Sequence, residues 1–170
     1  MSRKRRLALI AICLSAALVL AAWIWSPAAR IYRVERAALA QLGKPYVFGT
    51  AGLESFDCSG LMKYAYSKAN VTLAHNTRIV ASDDQYTTIS DPSRLRQGDL
   101  VYFNTVSNTT EIDHVGLWLG RNRFIHASSA NGEVMISEFD ERWQQRFVLA
   151  KRILYSRSPG LKGRGSILFE

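Results

Sequence analysis

At 170 residues, 48% of them hydrophobic, the chain is long enough for one domain with its own core, too short for two ordinary ones, and too apolar to be disordered throughout. The formal charge of +8 does not mark a nucleic-acid binder. Arg3, Lys4, Arg5 and Arg6 carry half of it ahead of a long apolar run, and no helix-turn-helix or aromatic–basic pattern accompanies the remainder.

Residues 7–25 are all apolar or small, with Ser15 the one hydroxyl. Nineteen such residues can just cross a hydrocarbon core of about 30 Å as a helix. Basic residues ahead of the run hold that end in the cytoplasm, so the chain beyond the run faces outward, and Trp23 and Trp25 fall where an interfacial aromatic belt belongs. A cleaved signal peptide is the alternative for 1–27, because Ser26, Pro27 and Ala28 offer small residues at the right distance. The length of the apolar run favours an uncleaved anchor, since signal-peptide cores usually run to about 7–15 residues. On either reading the rest of the chain works in the cell envelope, outside the cytoplasmic membrane, with the membrane as a partner if the segment is retained. Cys13, preceded by Ile12, reads as a small hydrophobe within the run.

Helical spacing of Val34, Ala37, Ala38 and Leu42 predicts a helix over 31–42, stopped at Gly43 and Pro45. Residues 46–50 read as a short extended or turn segment. A second helix is predicted over 57–69, capped by Asp57 or a neighbour, with Leu61, Ala65 and Ala69 facing inward. Residues 70–95 are polar and irregular, with one helical turn near 78–82. Short β-rich runs lie at 99–103, 113–120, 123–128, 134–139 and 147–154, separated by Gly, Asn and Asp. Helices first and strands later predict an α+β domain over 31–155, its helices packed on an antiparallel sheet and preceded by one hydrophobic helix. Residues 156–170, rich in glycine and basic side chains, read as a flexible tail.

Cys58 is the lone cysteine of the exported part. An unpaired thiol in an oxidising compartment is a candidate nucleophile, although a free cysteine is also among the commonest buried residues. It begins the second helix, where the helix terminus and a nearby imidazolium are expected to lower its pKa. The N–H groups around Cys58 and Ser59 are placed to hold an oxyanion, and Gly60 leaves room for a close approach. A base must come from the histidines. His114 and His126 lie on consecutive predicted strands, and their faces depend on the hairpin register. A two-residue loop at Arg121 and Asn122 puts them on opposite faces. A three-residue loop sets them directly across from each other, with Cβ atoms about 4.5–5.5 Å apart. A catalytic role therefore requires an odd loop length or a bulge. Two strand histidines bonded to backbone are the plain alternative. A zinc site built from these three residues is disfavoured, because no short paired ligand spacing is present.

Five stretches in order carry a family resemblance. They run from Leu42 through Gly43, Lys44, Pro45, Tyr46, Val47 and Phe48 to Gly49, then Phe56, Asp57, Cys58, Ser59, Gly60 and Leu61. Next come Gln97 to Phe103, Asp113 to Gly120, and Phe124, Ile125, His126 and Ala127. Together they resemble the NlpC family of papain-like cell-wall cysteine peptidases. The resemblance implies Cys58 as nucleophile, His114 as base, His126 as the residue orienting that base, and Tyr46 near the oxyanion site. Asp57 and Ser59 are implied at the substrate cleft, although helix capping explains Asp57 equally well. It further implies hydrolysis of peptidoglycan stem peptides at the bond between γ-D-glutamyl and a diamino acid, through an acyl-enzyme and with no metal or cofactor. The competing activities are an N-acetylmuramyl-L-alanine amidase, a thiol acyltransferase, and an inactive wall-binding module on the same fold. Two departures from the family pattern stand out: Thr50 stands where a second glycine is usual, and Ala74, His75, Asn76 and Thr77 replace the common Pro-Arg pair after the second helix. His75 and Arg78 are candidate contacts for an acidic wall peptide, though exposed loop positions explain them as well.

Overall fold

The computed structural model describes residues 3–106 and 111–155; the tail expected over 156–170 lies outside the described residues. Side-chain alternation along the strands builds the sheet and decides what covers each face. In β2 (Leu100–Phe103), Leu100 and Tyr102 join one apolar cluster while Val101 and Phe103 join another. Strands β3 (His114–Gly120) and β4 (Arg123–Ser128) divide in the same way. Val115, Leu117, Ile125 and Ala127 face one side; Trp118 and Phe124 face the other. With β1 (Thr87–Ile89), β5 (Glu133–Glu138) and β6 (Phe147–Arg152), they form one antiparallel sheet in the order β1-β6-β2-β3-β4-β5. The architecture is α+β.

Helix α3 (Cys58–Ser67) covers the first face, laying Leu61, Met62, Ala65 and Tyr66 against the odd-numbered residues of β3 and β4. The predicted cap and inward stripe are both present: Asp57 is the N-cap, and Leu61, Ala65 and Ala69 are buried. A short helix α5 (Glu141–Arg146) closes the opposite face with Trp143, beside Phe103, Phe124 and Phe139. The sequence reading missed α5 and β1 because neither is long enough to show a period. The turn expected near 78–82 is α4 (Thr77–Ser82).

The first predicted helix begins earlier and stops sooner than 31–42. Helix α2 spans Pro27–Leu39, with the Ser26 side chain accepting from the Ala29 N–H and Pro27 in its first turn. Ser26 and Pro27, which also suit a cleavage site, here make a helix start, for which a hydroxyl cap and N-terminal proline are well suited. Ahead of it, α1 spans Arg3–Ile24, and Ile12, Leu14, Leu18 and Leu20 are exposed rather than packed. Among the described residues no single helix is long and apolar enough to cross a membrane. Ile12–Ile24 and Pro27–Leu39, bent by 55° at their junction, pass that test only as a pair.

Two buried charges tie the strands together. Asp99 accepts two bonds from the Arg152 guanidinium, at 2.9 and 2.8 Å, and one from the Arg96 N–H at 2.8 Å. Lys151 donates to the Asp83 carbonyl and to Thr88 Oγ1, each at 2.9 Å. Removing one partner of a buried ion pair leaves the other charge uncompensated, so Asp99→Ala is expected to cost about 3–5 kcal/mol. Chemical denaturation of the two proteins reads the difference, and a cost below about 1 kcal/mol, the range of an exposed pair, would contradict the burial.

Candidate active site

Asp57 sets the geometry around the thiol. Its Oδ1 accepts from the Gly60 N–H at 2.6 Å and from Ser59 Oγ at 3.0 Å. Its Oδ2 accepts from the Gly49 N–H at 2.8 Å and lies 2.9 Å from His75 Nε2. One carboxylate thus joins the start of α3, the 45–51 loop and the segment leading into α4. Gly60 completes the arrangement, because a Cβ there would sit 2.1 Å from the Thr50 carbonyl oxygen. The room expected at Gly60 is taken by this chain's own loop, and the Asp57 N–H donates to the same carbonyl at 2.9 Å.

Cys58 is the first residue of α3 and is 8% exposed. It lies in a groove of about 450 Å³ with Tyr46, Asp57, Ser59, His75, Thr77 and Arg78 along its walls. The sulfur lies 3.7 Å from Thr77 Oγ1, and the backbone N–H groups of Val115 and Ser59 are directed at it. All four predicted residues of the α3 side, Tyr46, Asp57, Cys58 and Ser59, therefore share one groove. His75, a candidate contact for a wall peptide or else an exposed loop position, is half-buried and engaged with Asp57. Arg78, lining the same groove, pairs with Glu111 at 2.6 Å.

The two strand histidines are brought together by a bulge, one of the two devices that a catalytic role required. A two-residue turn at Arg121 and Asn122, both at positive φ, pairs Gly120 with Arg123. Such turns match strand twist and favour residues like Asn that tolerate the left-handed region. The register then shifts between Trp118 and Gly120, so Trp118 pairs with Phe124 and Leu117 with Ile125. The histidines consequently share a face as diagonal neighbours, not as the directly opposed pair of a three-residue loop. His114 Nε2 lies 2.8 Å from His126 Nδ1, and His126 Nε2 lies 2.9 Å from Ser137 Oγ. Trp143 covers both rings, stacked on His114 at 5.9 Å and edge-on to His126 at 5.4 Å between centroids.

Val115 belongs to the cluster around α3, whereas the His114 ring packs with Phe103 and Trp143. Among the described residues the hydrogen bond of the sulfur is to Thr77, and no side-chain bond joins Cys58 to His114. Thr77, Trp143 and Ser137 are the site residues that sequence reasoning missed. None lies in a recognisable motif, and only the fold places them.

Electrostatics correct one expectation. Burial pushes the Cys58 thiol above its ordinary value, and the Asp57 charge adds to that, outweighing Thr77 and the N–H groups of Val115 and Ser59. Burial also lowers His114 to about 4, against a small opposing pull from Asp113. It lowers His126 to about 3, with His114 as a second cause. The expected imidazolium is therefore absent at neutral pH, and loss of water at the sulfur dominates the helix terminus.

Residues 43–152 match the model of the NlpC/P60 family. The chain is 39% identical over 126 residues to the probable endopeptidase YafL of Escherichia coli K12, covering 73% of this chain and 49% of that one. It is 35% identical over 119 residues to the murein DD-endopeptidase MepH of the same organism, covering 67% and 42%. It is 32% identical over 132 residues to the gamma-DL-glutamyl hydrolase of Bacillus subtilis 168, covering 74% and 30%. The chain thus spans about half the length, or less, of these curated relatives. Among solved structures, a lipoprotein-like NLP/P60 protein of Staphylococcus aureus superposes with a TM-score of 0.63 at 32% identity. That match covers 72% of this chain and 41% of the other.

Folded-state pKa values below the ordinary histidine value of about 6.5 carry a definite sign. The pair's contribution to stability is complete above about pH 6.5 and is lost as the pH falls through its folded values near 4 and 3, because the unfolded chain binds protons that the buried rings refuse. NMR titration is expected to find both imidazoles neutral at about pH 5.5; titration at the ordinary value would contradict the burial. Alkylation of Cys58 by iodoacetamide is expected to be slow at pH 7 and to rise as the solution becomes alkaline.

Proposed function

The chain belongs to the NlpC/P60 family, and from that membership we propose that it is an exported cysteine-type hydrolase that cuts peptidoglycan stem peptides. The observation that carries this reading is the site itself: Cys58, at the start of α3, lines a groove that Asp113 also lines, and the next residue, His114, is hydrogen-bonded to His126. The peptidoglycan-directed names of MepH and other relatives support the substrate class. We assign cleavage to the bond after a γ-linked D-glutamyl residue, which the name of the gamma-DL-glutamyl hydrolase favours. The name of MepH favours a second reading, cleavage between two D-centres.

In the proposed reaction His114 acts through Nδ1. That requires its proton on Nε2, where it donates to His126 Nδ1, and His126 Nε2–H then donates to Ser137 Oγ. Because thiol and imidazole both rest neutral, the reaction starts by general-base removal of the thiol proton as the sulfur turns from Thr77 toward His114. The sulfur attacks the peptide carbonyl, and the Cys58 and Ser59 N–H groups with Tyr46 Oη receive the developing oxyanion. His114 then protonates the departing amine as the C–N bond breaks, leaving a thioester on Cys58. Water, deprotonated by the same imidazole, hydrolyses the thioester and restores the thiol. Apo sites of this kind are often loose and tighten with substrate, which accounts for the unformed Cys58–His114 bond.

The N-terminal segment completes the proposal. Four basic residues ahead of an apolar helix orient the chain with its catalytic part outside the membrane, and the exposed apolar side chains of α1 suit a lipid environment. The segment acts as an anchor if it is retained.

Mass spectrometry of purified wall incubated with the protein tests both chemistry and bond. Cys58→Ala is expected to abolish fragment release, and His114→Ala to lower it by about 10²–10⁴-fold. Fragment masses are expected to match cleavage on the carboxyl side of D-glutamate. Undiminished release by Cys58→Ala would remove the mechanism, and fragments cut only between D-alanine and the diamino acid would move the assignment to the second reading.

A further inference from the structure

Behind the thiol groove lies a much smaller chamber of about 10 Å³. Ser59, Asn76 and Thr77 line both spaces and form the partition between them. The rest of the chamber wall is apolar except for Tyr102 of β2. Tyr102 is fully buried, and its Oη has no hydrogen-bond partner among the described residues. Burial, with Tyr86 and then Cys58 as further causes, pushes that hydroxyl above its ordinary value, so it remains a donor. A buried donor without an acceptor destabilises a fold, and native structures nearly always supply one. A space of about 10–15 Å³ holds one water where roughly two to four polar groups surround it.

The Cys58–Thr77 contact can run in either direction: at 3.7 Å, Sγ or Oγ1 can be the donor. If the thiol donates, threonine holds the proton that a base must take. If Thr77 donates, that proton is free and the thiolate is favoured. We propose that the chamber binds one water, which accepts from Tyr102 Oη and donates to Thr77 Oγ1, turning the Thr77 hydrogen toward the Cys58 sulfur. The second hydrogen of the water goes to Ser59 Oγ, whose own hydrogen is given to Asp57. Three partners suit a buried water. Tyr102 is thus a positioning residue that acts on the thiol through the water and Thr77. Its consequence for catalysis rests on the cysteine-hydrolase reading, whereas the state of the thiol can be read with no substrate present.

Iodoacetamide alkylation of the full chain across a pH series, followed by mass spectrometry at the peptide that carries Cys58, tests this apart from hydrolysis. Tyr102→Phe, which removes one oxygen, is expected to move the profile to higher pH. The rate below the midpoint falls by about two- to tenfold, as for one neutral hydrogen bond lost, and the alkaline plateau is unchanged. In a Thr77→Val background the same substitution is expected to change nothing further, because the relay is already cut. Thr77→Ser, which keeps the hydroxyl, is expected to retain the original profile. An unchanged profile in Tyr102→Phe, or an equal shift with and without the Thr77 hydroxyl, would overturn the proposal. High-resolution diffraction from the unsubstituted chain is expected to show one water bonded to both Tyr102 Oη and Thr77 Oγ1, however the variants fold. A Tyr102 hydroxyl bonded elsewhere would overturn the proposal as well. A chain that alkylates as expected yet cuts no peptide would remove the hydrolase reading and leave the water relay standing.

Discussion

The groove depends on the Asp57 carboxylate more than on any other group. It caps α3 through Gly60, fixes the Ser59 hydroxyl, draws in the 45–51 loop through Gly49, and holds His75 at the groove wall. Each hydrogen bond to a charged group contributes about 1.5–3 kcal/mol, and four converge on one side chain that is itself buried. The same charge works against the neighbouring thiolate. The thiol is therefore held in place by its surroundings in a form that keeps its proton.

The sheet imposes the second constraint. A side chain and its neighbour along a strand point to opposite faces, so Val115 and His114 cannot both face α3. Val115 accordingly joins the cluster around α3, while the His114 ring packs against His126 and Trp143, with Ser137 bonded to His126 beyond it. A bulge after Trp118 is what places His126 on that face. The site is consequently two compartments meeting at the start of β3, one of mixed charge around the thiol and one basic around the imidazoles.

Much of the fold could be read from the residues because their periods are regular. The stripe of Leu61, Ala65 and Ala69 and the alternation in β3 and β4 each report one buried face, and Asp57 announces its cap. The family stretches brought Tyr46, Cys58, His114 and His126 to notice together. Other features resisted reading for physical reasons. Helix α5 has one apolar residue, Trp143, and no stripe. The hairpin register turns on a single bulge that no residue type dictates. The state of the thiol depends on how much water the fold removes, a tertiary property, and there the expectation drawn from the helix terminus ran opposite to the structure. Thr77 and Ser137 became visible only once α4 and β5 had packed.

The central claim is that the Cys58 sulfur carries the acyl group during turnover. Mixing the protein with a stem peptide, quenching in acid on the millisecond scale and mapping the digested chain by mass spectrometry tests it directly. A transient thioester on Cys58 that decays as product appears is the expected result. Product formed with no acyl adduct on Cys58 at any time, or an adduct on another residue, would contradict it.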